Sequence, residues 1–300
     1  MRMLIRFTIF IVIMISMFSC GDNVKVVNTK PIIYVSIAPQ KYMVEKIAGD
    51  VFIVKDLLPS GASPATFEPS PMQLRELSSA IAYFRIGHIG FEKAWMERIQ
   101  NANQTMQVFD QSQGVDFIEA DHSHDHHSHE HKHDHNHFGT DPHIWVSASQ
   151  MQVQIENIKN ALVNLMPDSA KYFTDNYEKL KVVLVDTDKK IMGMFHNVER
   201  KTYMIYHPAM SYFARDYGLE QLPLEYEGKE PSGKYMIDLI NKSKKLGIKT
   251  IFIQKQFPED KAKAIAKELG AKVVKIDPLA YQWPDNMIYM AEQIQKSLVE

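Results

Sequence analysis

The sequence predicts an α/β protein: two α/β lobes with parallel sheets, joined by one long helix. Three observations predict it. Short β-branched and aromatic runs alternate with longer amphipathic segments from Pro31 to Ala102, the same rhythm resumes at Thr202, and a helical stretch almost free of breakers lies between them. Strands separated by helices pair in parallel, because the helix carries the chain back to the starting edge.

The first lobe opens with the strand PIIYVSIAP, the short helix YMVEKIAGD and the strand VFIVKDLLP, which runs into the loop SGASPATFEPSP. MQLRELSSA is a helix, IAYFRIG a strand, and GFEKAWMERIQNA a helix with apolar residues at Phe91, Ala94, Trp95 and Ile99. After DPHIWVS, a helical stretch from Ser149 to Met166 is broken by Pro167-Asp168, and a second runs on to Phe195. The second helix is about 40 Å long if continuous, enough to connect two lobes. The second lobe reads strand TYMIY, helices AMSYFARDYG and SGKYMIDLINKSKKLG, strand KTIFIQ, helix PEDKAKAIAKELG, strand KVVKID and a closing helix to Glu300. Pro258 and Gly270 stand where a helix start and a helix end favour them. The expected boundaries are a lobe over 31–166 with a histidine-rich loop at 121–139, a linking helix over 167–196, and a lobe over 197–300. No internal sequence repeat is visible.

Composition allows a sizeable core: 45% of residues are hydrophobic, 23% are charged and the formal net charge is -2. The near balance of charge, with no basic stripe, argues against nucleic acid. Arg2 and Arg6 precede an apolar run, Phe7 to Phe18, of signal-peptide length and too short to span a bilayer comfortably. Ser19 and Cys20 follow, and Cys20 is the single cysteine of the chain. The segment resembles a bacterial lipoprotein signal, which implies a signal over 1–20, lipidation of Cys20 and a polar tether over 21–30. With one cysteine there is no internal disulfide, so stability must come from packing.

Nine of the thirteen histidines, His122, His124, His126, His127, His129, His131, His133, His135 and His137, fall in one run. Four other potential metal ligands sit where strands end: His88 after IAYFRIG, His207 after TYMIY, Asp277 at the end of KVVKI, and His143 after the Asp141-Pro142 turn. In open parallel sheets ligands bind beyond the carboxyl ends of strands. Neutral imidazole and carboxylate suit Zn(II), which takes about four of them in a tetrahedron. Singly, a histidine after a strand is more often a hydrogen-bonded rim residue than a ligand, and Asp-Pro is often only a turn.

The segments GASPATFEPSP, YFRIGHIGFEKAW, DPHIWVS, YHPAMSYFARDYGL, KEPSGK, IFIQKQF and KVVKIDPLA, in this order and with a histidine-rich insert before DPHIW, resemble the zinc and manganese receptors of bacterial ABC importers. The resemblance runs from about Pro31 to Glu300. It implies a rigid linking helix, a metal site in the cleft between lobes, delivery of the ion to a membrane permease, a monomer, and an extracytoplasmic location with the lipid at Cys20 as anchor. His143, His207 and Asp277 match family ligand positions. Histidine at 207, where manganese members tend to carry a carboxylate, favours zinc over manganese.

One family ligand is missing. The family pattern G-x-x-P-H reads Gly61-Ala62-Ser63-Pro64-Ala65 here, and alanine cannot coordinate. His88 is the favoured replacement, since it restores three histidines and one carboxylate. Glu68, on the same loop as Ala65, is the alternative, and a water-completed three-ligand site is a third.

The histidine run, punctuated by Asp125, Glu130 and Asp134, reads as an auxiliary gatherer of metal, since ordering a loose chain weakens each site while many weak sites raise the local concentration. A solvated spacer is the competing reading. A zinc hydrolase would need an open coordination position and a general base, and no H-E-x-x-H signature occurs. An adhesin-like or metal-buffering surface lipoprotein without a permease would use the same fold and site.

Overall fold

A computed structural model describes residues 30–119, 139–225 and 233–300. The expected signal, Cys20, the tether before Lys30, the histidines from His122 to His137 and the Lys-Glu-Pro-Ser part of KEPSGK lie outside the described residues.

Within Pro31–Glu300, two four-stranded sheets carry the fold, and every strand pair in both is parallel. The first comprises β1 (Ile32–Val35), β2 (Ile53–Asp56), β3 (Ala80–Arg85) and β4 (Gln107–Asp110), in the order β2-β1-β3-β4. The second comprises β5 (Thr202–Ile205), β6 (Glu220–Pro223), β7 (Thr250–Gln254) and β8 (Lys272–Ile276), in the order β6-β5-β7-β8. The lobes therefore repeat one topology without repeating a sequence. In each, strand order reverses between the two central strands, β1 and β3 or β5 and β7, and a crevice opens beyond that reversal.

The edge strands β4 and β6 are the elements the sequence pattern did not anticipate. QVFD and EQLP contain no β-branched run. Pro223 is tolerated because β6 is an edge and its far side needs no N–H donor.

The helices are α1 (Ala38–Ala48), α2 (Pro71–Glu76), α3 (Gly90–Ala102), α4 (Ala148–Leu165), α5 (Ala170–Phe195), α6 (Ser211–Asp216), α7 (Gly233–Lys245), α8 (Glu259–Leu269) and α9 (Trp283–Val299). Ser147 caps α4, its hydroxyl accepting from the Gln150 amide at 3.0 Å. A short 3-10 turn at Pro167–Ser169 separates α4 from α5, where the proline break was expected. The 26 residues of α5 span about 39 Å. Its buried stripe, Phe173, Tyr177, Leu180, Leu184, Ile191 and Phe195, lies against α1 and α4 of the first half and α9 of the second.

The core is shared between halves. Ile33, Phe84 and Trp145 belong to the same buried cluster as Tyr203, Phe213, Phe252 and Trp283. A second cluster, around Ile251, Ile253 and Leu269, is confined to the second sheet. Among the described residues no helix is long and apolar enough to cross a membrane.

Candidate metal centre

His143 opens a 3-10 turn, Ile144–Val146, that is pinned to the opposite half. The Tyr212 hydroxyl donates to the Asp141 carbonyl at 2.8 Å, the Trp145 indole N–H to the Pro278 carbonyl at 2.9 Å, and the Trp283 indole N–H to the Trp145 carbonyl at 2.6 Å. Ser147 adds a hydrogen bond to Asp216. Each of these buried or half-buried bonds would leave a costly orphan group if the halves separated.

His207 lies just beyond β5. The buried Gln254, at the end of β7, holds it by both main-chain groups: Gln254 Nε2 donates to the His207 carbonyl at 2.6 Å, and Oε1 accepts from the His207 amide at 3.3 Å. The two imidazoles face each other edge to face, with ring centroids 5.3 Å apart. Two imidazoles bound through Nε2 to one tetrahedral ion, at about 2.0–2.1 Å per bond, would have centroids roughly 5 Å apart.

A carboxylate stands behind each ring. His143 Nδ1 meets Asp141 Oδ1 at 2.7 Å, and His207 Nδ1 meets Glu225 Oε2 at 2.6 Å. When Nδ1–H donates to the carboxylate, Nε2 is the bare donor atom, with its orientation fixed and its basicity raised. Burial would raise the pKa of Asp141, but the hydrogen bond and charge of His143, the Ser211 hydroxyl and the His143 amide together hold it below its ordinary value. Asp141 is therefore an anion near neutral pH.

Both rings line a cavity of about 190 Å³. Among the other described residues of its wall are Ser63, Pro64 and Ala65 from the long loop after β2, Ile89 and Gly90 from the β3–α3 connection, Trp145, Leu279, and Gln256 and Phe257 beyond β7. The cavity thus sits at the strand-order reversals of the two sheets. Gly90 lets the loops close: a Cβ there would come within 2.5 Å of the Ala65 carbonyl oxygen.

Of the four ligands expected from sequence, the structure brings His143 and His207 together. His88 is half-buried with its ring against Phe117, centroids 4.7 Å apart, and does not line the cavity. Burial, reinforced by Lys93, lowers its pKa. Glu68 is exposed and also outside the lining. Asp277 follows the edge strand β8, two strands from β5, and lines an adjoining cavity of about 400 Å³ with Lys41, Asp56 and Lys255. Its Oδ1 accepts from the Leu279 amide at 3.1 Å, and Leu279 borders both cavities. Among the described residues no group of three or more His, Cys, Asp or Glu side chains is poised around one point.

Sequence reasoning missed Asp141, Glu225 and Gln254. Asp141 had a legible signal, since it stands two residues before His143 in D-P-H. Glu225 had none, because it follows β6, a strand with no recognisable pattern.

Residues 33–299 match the family model of ZnuA, the periplasmic component A of zinc-uptake complexes. The chain is similar to a putative metal-binding protein of Chlamydia muridarum, 26% identical over 275 residues that cover 91% of this chain and 93% of that one. It is similar to the high-affinity zinc uptake system protein ZnuA of Bacillus subtilis, 29% identical over 87% of this chain and 80% of that one. A crystal structure of a ZnuA matches with a TM-score of 0.82 at 35% identity, covering 89% of this chain and 98% of that one.

Proposed function

The chain belongs to the ZnuA family of periplasmic zinc-uptake components, and from that premise we propose that it captures Zn(II) outside the cytoplasm and delivers it to the permease of an ABC importer. The observation that carries this reading is the pair His143 and His207, two imidazoles 5.3 Å apart with a carboxylate behind each. The ion is cargo, and Nε2 of each ring is its handle.

Zinc is favoured over manganese by the donors. Among the described residues no carboxylate lines the cavity, and manganese prefers oxygen ligands where zinc accepts imidazole readily. Hydrolysis is disfavoured for a related reason: it needs a free base beside metal-bound water, whereas Asp141 and Glu225 are engaged behind the rings. Lipidation at Cys20 would hold the receptor at the membrane, near its permease.

The test is competition titration of zinc against a chromophoric chelator, using the chain without residues 1–20. His143→Ala and His207→Ala are each expected to weaken the tight site more than about 100-fold, beyond the 10–100-fold typical of losing a group behind a ligand. Unchanged tight binding in both variants would refute the assignment. Growth of a deletion strain under zinc limitation separates an importer receptor, which is required, from a passive buffer, which is dispensable.

A further inference from the structure

We propose that the amino-end edge of the second sheet is a docking surface for anionic lipid headgroups, and that it lays the anchored receptor along the membrane from the end opposite its lipid. The inference rests on lipidation at Cys20, proposed above, and deepens the receptor reading.

Charge comes first. Residues 233–276 hold eleven lysines, no arginine and four acidic residues, a net charge of +7 inside a chain whose formal net charge is -2. Such an asymmetry points to an anionic partner. The lysines are scattered along the sequence, and the fold gathers them. Because β5 to β8 are parallel, their first residues share one edge, and α7 and α8 end there, ahead of β7 and β8. Lys242, Lys244 and Lys245 stand in the last turn of α7, Lys267 in the last turn of α8, Lys249 just before β7 and Lys272 at the start of β8. The Lys272 amide donates to the Lys249 carbonyl at 2.9 Å, and Lys244 Nζ meets Glu268 Oε1 at 3.4 Å, which ties the ends of the two helices together. All six lysines are exposed.

Chemistry comes second. Glu220, Glu268 and Glu300 pair with Lys242, Lys244 and Lys272 at 3.6, 3.4 and 2.5 Å. Exposed pairs of this kind are weak, so lipid phosphates can take the place of the carboxylates. Helix dipoles favour lysines in last turns, but Lys249 and Lys272 lie outside the helices. An ammonium on a flexible stem follows a mobile headgroup surface, whereas the rigid fork of arginine suits a single fixed phosphate. Six lysines at one edge form a cluster of the size that adsorbs to anionic lipid.

Position decides the occupant. The Ile53 amide donates to the Pro31 carbonyl at 2.9 Å, so the chain coming from Cys20 enters beside the start of β2, at the amino-end edge of the first sheet. The helix α5 begins near that edge, with the Phe173 ring against Phe52, centroids 6.1 Å apart. It ends at the lysine edge, where the Phe195 carbonyl accepts from Lys201 Nζ at 3.1 Å, next to β5. Lipid root and lysines are therefore separated by the length of α5, about 39 Å. A lipid fixes one point. The lysines supply a second, which sets α5 along the bilayer and with it the height of the cavity between the two edges.

The experiment is co-sedimentation of the chain without residues 1–20 with vesicles of phosphatidylcholine, alone or with about a third phosphatidylglycerol, at low and high salt. The expected result is binding to the phosphatidylglycerol vesicles at low salt, at least about 10-fold weaker at high salt, and none to phosphatidylcholine alone. Lys244→Glu, Lys245→Glu and Lys249→Glu together should weaken it at least about 10-fold, with zinc affinity and melting temperature kept. The same reversal at Lys46, Lys171 and Lys179, exposed lysines of α1 and of the first half of α5, should leave it within about twofold. No binding at low salt, or equal loss in the two triple variants, would overturn the docking surface. Release by soluble polyphosphate at an equal phosphate concentration would assign the lysines to a soluble polyanion and overturn the bilayer as occupant. Palmitate labelling reads Cys20 separately: a label unchanged in Cys20→Ala would overturn the lipid root and the pose, whereas the vesicles read the lysine surface alone.

Discussion

Asp141 and Glu225 never touch the ion in this account, yet each fixes which nitrogen of its histidine is bare. Asp141→Asn and Glu225→Gln keep the shape and remove the negative charge. Each should weaken zinc binding about 10–100-fold, measured by the same competition titration, with the melting temperature little changed. A second carboxyl has a different signature. Glu92 is 1% exposed and accepts from the Ser36 hydroxyl and from the amides of Ile86 and Gly87, at 2.8 and 2.7 Å. Burial dominates these bonds and pushes its pKa from 4.5 to about 7. Between those values the folded chain holds a proton that the unfolded chain has lost, so the stability Glu92 contributes is present below about pH 4.5 and disappears as the pH rises to about 7. Glu92→Gln should flatten that part of the stability profile, a difference of up to about 3 kcal/mol, read by urea denaturation across the window.

At the scale of elements, the β3–α3 connection is the support on which the cavity wall rests. The Phe91 amide donates to the Pro64 carbonyl at 3.0 Å, and Gly90 lies against the Ala65 backbone. Gly90→Ala would favour the helix by propensity alone. The clash with a main-chain oxygen outweighs that gain, so the variant should lose about 1–2 kcal/mol and bind zinc more weakly, as denaturation and titration would show. The strands that build the lobes were legible because IIYV, AIAYFR, TYMI and TIFIQ are buried and rich in β-branched and aromatic residues. The edges QVFD and EQLP were not, since a half-exposed strand of four residues leaves no periodic trace. The site divides along the same line. His143 and His207 were readable from a turn and a strand end, and Glu225 was hidden behind an unread edge. The sequence named strand ends without saying which lie at the strand-order reversal. His88, whose ring turns to Phe117, and Asp277, beyond an edge strand, were accordingly expected at a point where the structure does not bring them.

At the scale of the whole molecule, the main core runs through both halves and along α5, and the two tryptophans tie the His143 turn to the second half. Unfolding of Pro31–Glu300 should therefore follow one cooperative transition by calorimetry. Zinc at about 1,000 times its dissociation constant should add about 4 kcal/mol to it, and this increment should vanish in His207→Ala. The shared core also predicts main-chain shifts below about 1 Å on zinc binding, as in preorganised complexes. The claim that carries the account is that zinc is held by His143 and His207 together. X-ray absorption at the zinc edge, on the chain without residues 1–20 and with one equivalent of zinc, counts the imidazoles around the ion. The account predicts that the imidazole signal falls in both His143→Ala and His207→Ala; an unchanged spectrum in the two variants would contradict it.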